Sequence, residues 1–248
     1  MIKKELAKLK ATSIRTYNNL FGRSDYERFA VVTRSRTRSN LLISLLDSHQ
    51  DIRAFGEEFS RLDGQSCKEV YDKLFTEKSL TAVGFKIFYY HPLDTEDTSI
   101  WEIMKNDRSF KIIHLRRENL LRVHISRMIA RKTRQWISRG EETIDLDTKK
   151  VNVDIDKFLA DVNTTNTHIR ETRATFRDHP IVEVSYEELV RERGKTLNRI
   201  LTFLGVENVT LSSELKRQNQ EKIEDLVLNY EEVRSRLAGT KYAFMLEE

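Results

Sequence analysis

Three arginines lie close together in a short polar stretch between two apolar segments. The stretch runs from Thr33 to Asn40 and contains Arg34, Arg36 and Arg38, but no glycine and no lysine. The apolar residues before it predict a buried strand, and the leucine-rich segment after it predicts a buried helix. The first N–H groups of a helix have no intrahelical partner, and the helix dipole places partial positive charge there. Because guanidinium groups bind phosphate through paired hydrogen bonds, the stretch predicts a phosphate-binding loop.

The two commonest phosphate-binding motifs do not fit this loop. A nucleoside-triphosphate P-loop requires two glycines and a lysine, and a dinucleotide-binding turn requires a series of glycines. The ligand is therefore expected to be phosphorylated but held in another way. A solvated basic loop is the alternative, and it does not explain why the loop lies between two buried elements.

The segment 35–42 resembles the P-R-S-G-S/T-T-L-L loop of sulfotransferases. In that family the loop binds the 5′-phosphosulfate end of 3′-phosphoadenosine 5′-phosphosulfate (PAPS). The resemblance implies that five consecutive residues bind the donor: Arg36, Thr37, Arg38, Ser39 and Asn40. Arg38 replaces the family glycine, and it would cost about 1 kcal/mol or more if φ is positive there. Either the backbone is regular at this position, or Arg38 points outward to contact substrate or phosphate.

The segment around Arg116 and Arg117, followed by Ser126, resembles the second sulfotransferase signature. In that signature an arginine after a strand and a serine on the next helix hold the 3′-phosphate. Arg117 and Ser126 take these roles here, with a separation of nine residues where eight is usual. Strand alternation sends Arg116 and Arg117 to opposite sides, so one is expected to bind phosphate and the other to pair with an acid.

The segments 184–189 and 197–206 resemble the Y-E-x-L and I-L-x-F-L-G-V end of the same fold. Tyr186 matches the family tyrosine near the nucleotide. A core tyrosine with a hydrogen-bonded hydroxyl is an equally good interpretation of this residue.

Two glutamates and a lysine are candidates for catalysis. Gly56, Glu57 and Glu58 resemble the G-E-E segment in which a family glutamate deprotonates the acceptor hydroxyl. The family pattern favours Glu58 as this base. One extra residue before Gly56, relative to that pattern, keeps Glu57 as the alternative. Lys86 interrupts an apolar segment. It is either an edge-strand lysine that reaches solvent or a cation near the transferred group, and the resemblance favours the second role.

The three signatures in this order imply a PAPS-dependent sulfotransferase that requires no metal. Its acceptor is expected to be a hydroxyl of a carbohydrate, a glycolipid or another small molecule, as in the bacterial enzymes that the motifs resemble most. One alternative is a kinase-like nucleotide enzyme, which the missing glycines and lysine disfavour. The other is a non-enzymatic basic nucleic-acid-binding protein, which the arginines of segment 118–138 support weakly.

Composition agrees with a single domain over residues 1–248. The net charge of +4 and the pI near 9.0 fit a polyanionic cofactor, an acidic acceptor or nucleic acid. The only cysteine, Cys67, excludes an internal disulfide and fits a reducing compartment such as the cytoplasm. The chain has no apolar stretch of about 18 residues and no signal-peptide core, and residues 1–25 predict a basic helical extension.

Strand and helix patterns alternate along the chain. Strands are predicted at 29–33, 82–89, 110–115 and 181–185. Helices are predicted at 40–48, 66–78, 97–106, 118–138, 155–177, 194–204 and 219–238. Residues 139–156 predict a hairpin or an extended insertion, because apolar and polar residues alternate there. The alternation of elements predicts an α/β fold with a parallel sheet flanked by helices, like that of P-loop NTPases and sulfotransferases.

Overall fold

The computed structural model describes residues 25–76, 79–135, 145–215 and 221–247. Nearly all of the predicted N-terminal extension, residues 1–24, lies outside these ranges. Residues 139–144 of the predicted insertion lie outside them as well.

The described residues form a parallel sheet of five strands. The strands are β1 (Glu27–Thr33), β2 (Ile52–Phe55), β3 (Ala82–Phe88), β4 (Lys111–Arg116) and β5 (Ile181–Ser185). Their order in the sheet is β2-β3-β1-β4-β5, and every neighbouring pair is parallel. The carboxyl ends of all five strands therefore meet at one edge, where open α/β sheets bind their ligands. The predicted α/β class is confirmed.

Helices flank the sheet and connect its strands. The first six are α1 (Ser39–Asp47), α2 (Cys67–Leu74), α3 (Ser99–Asn106), α4 (Leu120–Thr133), α5 (Leu146–Lys149) and α6 (Ile155–Thr175). The next four are α7 (Tyr186–Arg191), α8 (Arg193–Leu204), α9 (Ile223–Leu226) and α10 (Tyr230–Leu237), before a 3₁₀ turn at Ala243–Leu246. No helix in the described ranges is long and apolar enough to cross a membrane.

The central strand β1 contributes to two hydrophobic clusters. Phe29 and Val31 are buried in one cluster, and Ala30 and Val32 are buried in the other. This follows from the two-residue side-chain period of a strand that is covered by helices on both faces. The end of β1, from which the arginine loop starts, is therefore fixed from both sides.

The predicted helix over 219–238 is wrong as a single element. Val227 is extended, with φ −109° and ψ 113°, between α9 and α10. It forms a parallel bridge with Val151, in which Val151 donates to the Leu226 carbonyl at 2.9 Å and Leu228 donates to Val151 at 2.9 Å. The apolar stripe that suggested one long helix is thus divided by this pairing.

The same bridge corrects the prediction for 139–156. The described part of that segment contains the short helix α5 and the single bridge at Val151, and α6 begins at Ile155. The alternating apolar residues Val151 and Val153 are buried against α4, α9 and α10. Their alternation therefore reflects packing of an extended segment onto helices, where a hairpin was one of the two expectations.

Candidate active site

A cavity of about 910 Å³ lies at the carboxyl edge of the sheet. Residues that follow all five strands line it, among them Arg36, Glu57, His91, Arg117 and Tyr186. Its volume lies in the usual range for small-molecule and cofactor pockets. The parallel topology thus brings separate parts of the chain into one site.

The arginine loop between β1 and α1 has a left-handed backbone at two positions. Arg36 has φ 68° and Arg38 has φ 64°. Arg38 is the N-cap of α1 and makes no side-chain cap bond. The backbone at Arg38 is therefore not regular: it has the conformation that glycine adopts most easily, and the side chain lines the cavity. The Arg38 guanidinium lies 5.8 Å from the centre of the Tyr186 ring.

Arg36 connects the first predicted signature to the second. Its Nε donates to Ser126 Oγ at 2.8 Å, and its carbonyl accepts from Arg117 Nη1 at 3.2 Å. The Arg117 guanidinium lies 4.2 Å from the centre of the Tyr186 ring. Burial lowers the pKa of Arg36, yet a guanidinium remains charged near neutral pH. The structure therefore brings four of the predicted donor-binding residues together at one side of the cavity.

The other predicted loop residues divide between the cavity and the protein interior. Ser39 and Asn40 line the cavity. Thr37 is buried, and its hydroxyl lies 2.8 Å from that of Thr33 and donates to the Arg34 carbonyl at 3.0 Å. The Thr37 side chain thus stabilises the loop from within.

The two adjacent arginines after β4 have different surroundings. Arg116 forms an ion pair with Glu183 at 3.0 Å, and Arg117 lines the cavity. As strand alternation predicted, the two arginines point to different surroundings: Arg116 is paired to an acid and Arg117 faces the cavity.

Glu57 and Lys86 form an ion pair next to Asn40 at the start of α1. Lys86 Nζ lies 2.7 Å from Glu57 Oε1 and also donates to Asn40 Oδ1. Burial lowers the pKa of Lys86, and the Glu57 carboxylate opposes this shift. Glu57 lines the cavity, whereas Glu58 is exposed and is not part of the described lining. The geometry therefore favours Glu57 as the catalytic base, whereas the family motif favoured Glu58.

His91 is a cavity residue that the sequence motifs did not select. It is 2% exposed, and its Nδ1 accepts from the Phe88 N–H at 3.3 Å, so that Nε2 carries the proton. Burial lowers its pKa to about 4, which keeps the ring neutral near pH 7. Its place shortly after the apolar segment 82–89 and before Pro92 was the available signal in the sequence.

Besides Ser126, helix α4 contributes three cationic side chains to the cavity. Arg122, Arg127 and Arg131 also line the cavity. In the sequence, the arginines of segment 118–138 were only weak support for a nucleic-acid-binding protein. The helical spacing of Arg122 and Ser126, four residues apart, was the available signal that both face the same side.

No group of three His, Cys, Asp or Glu side chains within the described ranges is arranged to hold a metal ion.

Comparison with known proteins points to one family. Residues 99–210 match the family model described as the sulfotransferase family. The crystal structure of a sulfotransferase from Alicyclobacillus acidocaldarius aligns with 88% of this chain and 93% of its own, at 18% identity and a TM-score of 0.53. Mouse sulfotransferase SULT7A1 complexed with PAP aligns with 81% of this chain and 64% of its own, at 15% identity and a TM-score of 0.45. No curated protein sequence matches the chain significantly.

The match covers α3 to α8, and so includes the segments of the second and third predicted signatures. The arginine loop, residues 33–40, precedes the matched region. The match over residues 99–210 confirms the predicted resemblance to the sulfotransferase family in that part of the chain, and the Alicyclobacillus sulfotransferase shares the predicted fold.

Proposed function

We propose that this chain, acting as a single sulfotransferase-like domain, transfers a sulfuryl group from PAPS to an acceptor hydroxyl. The observation that carries the proposal is the hydrogen bond from Arg36 to Ser126. It joins the loop assigned to the 5′-phosphosulfate with the helix assigned to the 3′-phosphate. When bound, PAPS supplies the sulfuryl group and an adenosine 3′,5′-bisphosphate (PAP) leaving group.

The donor side of the cavity has groups that suit a polyanion. Arg36 and the N-terminus of α1 provide a guanidinium and a helix end of positive potential for the 5′-phosphosulfate. Arg117 and Ser126 are assigned to the 3′-phosphate. Tyr186 supports the Arg117 guanidinium with its ring and fixes its direction.

The acceptor side provides a base and a cation. We assign Glu57 as the group that accepts the proton of the acceptor hydroxyl, since it lines the cavity as a carboxylate. Lys86 holds that carboxylate and adds positive charge where negative charge develops during transfer. His91 is less suited to accept this proton, because its Nδ1 already accepts a hydrogen bond and its Nε2 is protonated.

Calorimetric titration of the purified chain with PAP, ATP and single-stranded DNA tests the donor. Tight binding of PAP with much weaker binding of ATP supports the proposal. Preference for ATP would instead indicate a kinase-like enzyme, and binding of DNA without PAP a nucleic-acid-binding protein.

We propose a carbohydrate or glycolipid as the acceptor, on the basis of the bacterial sulfotransferases that the motifs resemble. The mouth of the cavity includes Tyr90, which is 40% exposed and offers a ring on which a sugar can pack. Incubation with sulfur-labelled PAPS and separate pools of oligosaccharides, glycolipids and peptides tests this choice. Label in the peptide pool alone would contradict it.

Arg117→Ala is expected to weaken binding of PAP more than binding of adenosine 5′-phosphate. The reason is that Arg117 is assigned to the 3′-phosphate, which only PAP carries. Loss of a charge-assisted bond of this kind corresponds to roughly tenfold or more in affinity. Titration calorimetry with both nucleotides measures the difference, and equal losses for the two would remove Arg117 from the 3′-phosphate.

Arg38→Gly is expected to stabilise the fold and to weaken PAP binding. Glycine adopts the left-handed backbone at this position without strain, which should raise the free energy of unfolding by about 1 kcal/mol. The same change removes a cation from the cavity. Denaturant unfolding and calorimetry measure the two effects separately.

Arg134→Gly is the matched control, because Arg134 also has a positive φ, 58°, but lies at the end of α4 outside the described cavity lining. It should gain similar stability with unchanged PAP affinity. If Arg38→Gly binds PAP as the wild type does, Arg38 has no part in the donor site.

A further inference from the structure

Arg34, the first arginine of the loop, does not belong to the described cavity lining. It is 5% exposed, and its Nη2 donates to both carboxylate oxygens of Asp161, at 3.0 and 3.1 Å. Its Nη1 donates to the hydroxyl of Thr165. Asp161 and Thr165 lie one turn apart on α6, so this single side chain fastens the loop to the longest described helix.

Asp161 also contacts the wall of the cavity. Arg127, which lines the cavity, lies 2.7 Å from Asp161 Oδ2, and His124 Nδ1 lies 3.4 Å from the same oxygen. The hydrogen bond from His124 and the charges of Arg34 and Arg127 outweigh burial and hold the pKa of Asp161 below its usual range. One ionised carboxylate thus binds a cation of the loop and a cation of α4.

The loop needs such support because of its backbone. Arg36 and Arg38 both have positive φ, and the stretch from Thr33 to Asn40 has no glycine to adopt that conformation without strain. Strained backbone persists only where the surrounding structure fixes it. The bonds from Arg34 to α6 lie two residues before the first strained position.

We propose that Asp161 is a positioning residue for donor binding. Through Arg34 it holds the loop in the strained conformation that places Arg36 against Ser126, and through Arg127 it orients a cation on the cavity wall. The inference rests on the proposed donor site, since it assigns to Asp161 an effect on PAP affinity without contact to PAP.

The proposal predicts different effects on binding and on stability. Asp161→Asn leaves the buried Arg34 guanidinium without its carboxylate partner, and Arg34→Met leaves the half-buried Asp161 carboxylate with Arg127 and His124 but without Arg34, so each variant should be less stable than the wild type. The double variant removes both charges and should recover part of that stability. It should not recover PAP binding, because the loop still lacks its hydrogen bonds to α6.

The experiment compares the wild type, both single variants and the double variant by thermal unfolding, by calorimetry with PAP, and by hydrogen exchange of the amides of residues 33–40 without ligand. Asp156→Asn is the control, since Asp156 lies on the same helix but pairs with exposed Arg236 at 3.1 Å. We expect at least fivefold weaker PAP binding and faster exchange of the loop in both single variants and in the double variant, with wild-type values for the control.

Recovery of PAP affinity together with stability in the double variant would overturn the proposal, because Asp161 would then be only half of a buried ion pair. Wild-type affinity and loop exchange in Asp161→Asn would overturn it as well. If the wild type does not bind PAP, the proposed function fails, while the exchange rates without ligand still decide whether Asp161 fastens the loop.

Discussion

Glu57→Gln is expected to lower turnover by roughly 10²–10⁴-fold, the usual contribution of a general base. An acceptor hydroxyl attacks poorly while it keeps its proton, and a carboxamide cannot take that proton at neutral pH. Glu57 has the position for this role, because it lines the cavity and its carboxylate is held by Lys86 at 2.7 Å. Affinity for PAP should change little, since Glu57 is assigned to the acceptor side. Steady-state kinetics with a labelled donor, together with calorimetry, measure both quantities.

Glu58→Gln is the matched control, as it makes the same change at the next residue. Glu58 is exposed and is not among the described cavity residues, so turnover should stay near the wild-type value. The opposite result, with a large loss in Glu58→Gln and none in Glu57→Gln, would return the base to the residue that the family motif favoured. No loss in either variant would exclude this loop from catalysis.

The strands and helices that were predicted correctly are those with strong periodicity. Four apolar segments became β1, β3, β4 and β5, and buried helices followed the expected spacing. Strand β2 was not predicted, because its four residues alternate between buried and half-buried at the edge of the sheet. A short edge strand with an arginine in it lacks the apolar run on which the prediction depends.

The error at 219–238 has a different physical origin. The apolar residues there do have helical spacing, but the long-range pairing of Val227 with Val151 stabilises an extended residue in the middle. Asn229 reinforces this break, since its side chain accepts from the N–H of Val153 at 2.9 Å and donates to its carbonyl at 3.0 Å. Contacts between residues about 76 positions apart are not visible in local periodicity.

Motifs indicated which residues belong to the site, but not how their side chains are arranged. Arg36, Arg117, Ser126 and Tyr186 were each selected from separate signatures, and the parallel topology explains why they meet at one edge. The choice between Glu57 and Glu58 depends on the direction of two adjacent side chains in a loop. That direction is set by tertiary contacts such as the ion pair of Glu57 with Lys86.

The anchoring of the loop was also beyond the reach of the sequence. Arg34 looked equivalent to Arg36 and Arg38, because all three are alternate residues of one polar segment. Its partner Asp161 is 127 residues away, on a helix that no motif marked. The left-handed conformation of Arg38 could be expected only from the family glycine, since arginine itself disfavours it.

Lys86→Met is expected to lower turnover by about 10²–10³-fold, the range observed when one preorganised donor is removed from an active site. Lys86 is 1% exposed and connects Glu57 with Asn40 at the start of α1. Its loss removes positive charge from the site and frees the Glu57 carboxylate to change direction. Methionine retains most of the side-chain volume, so the packing around β3 should be preserved.

The pH dependence of turnover distinguishes a role of the Lys86 charge from a role of the side chain in packing. Burial lowers the pKa of Lys86, and the opposing Glu57 charge does not fully compensate. Lys86 should therefore lose its proton at a lower pH than an ordinary lysine. Wild-type turnover should fall as the pH rises through that range, because the positive charge of Lys86 is lost. The Lys86→Met variant should lack that alkaline decline.

Lys111→Met is the control, because Lys111 is also a strand lysine with an ion pair, to Glu27 at 3.3 Å, but is not in the described cavity lining. It should retain turnover and the wild-type pH profile. If Lys86→Met keeps wild-type turnover, or loses it without any change in the alkaline limb, Lys86 has a structural role only, and the positive charge that promotes transfer must come from the arginines of the loop and of α4.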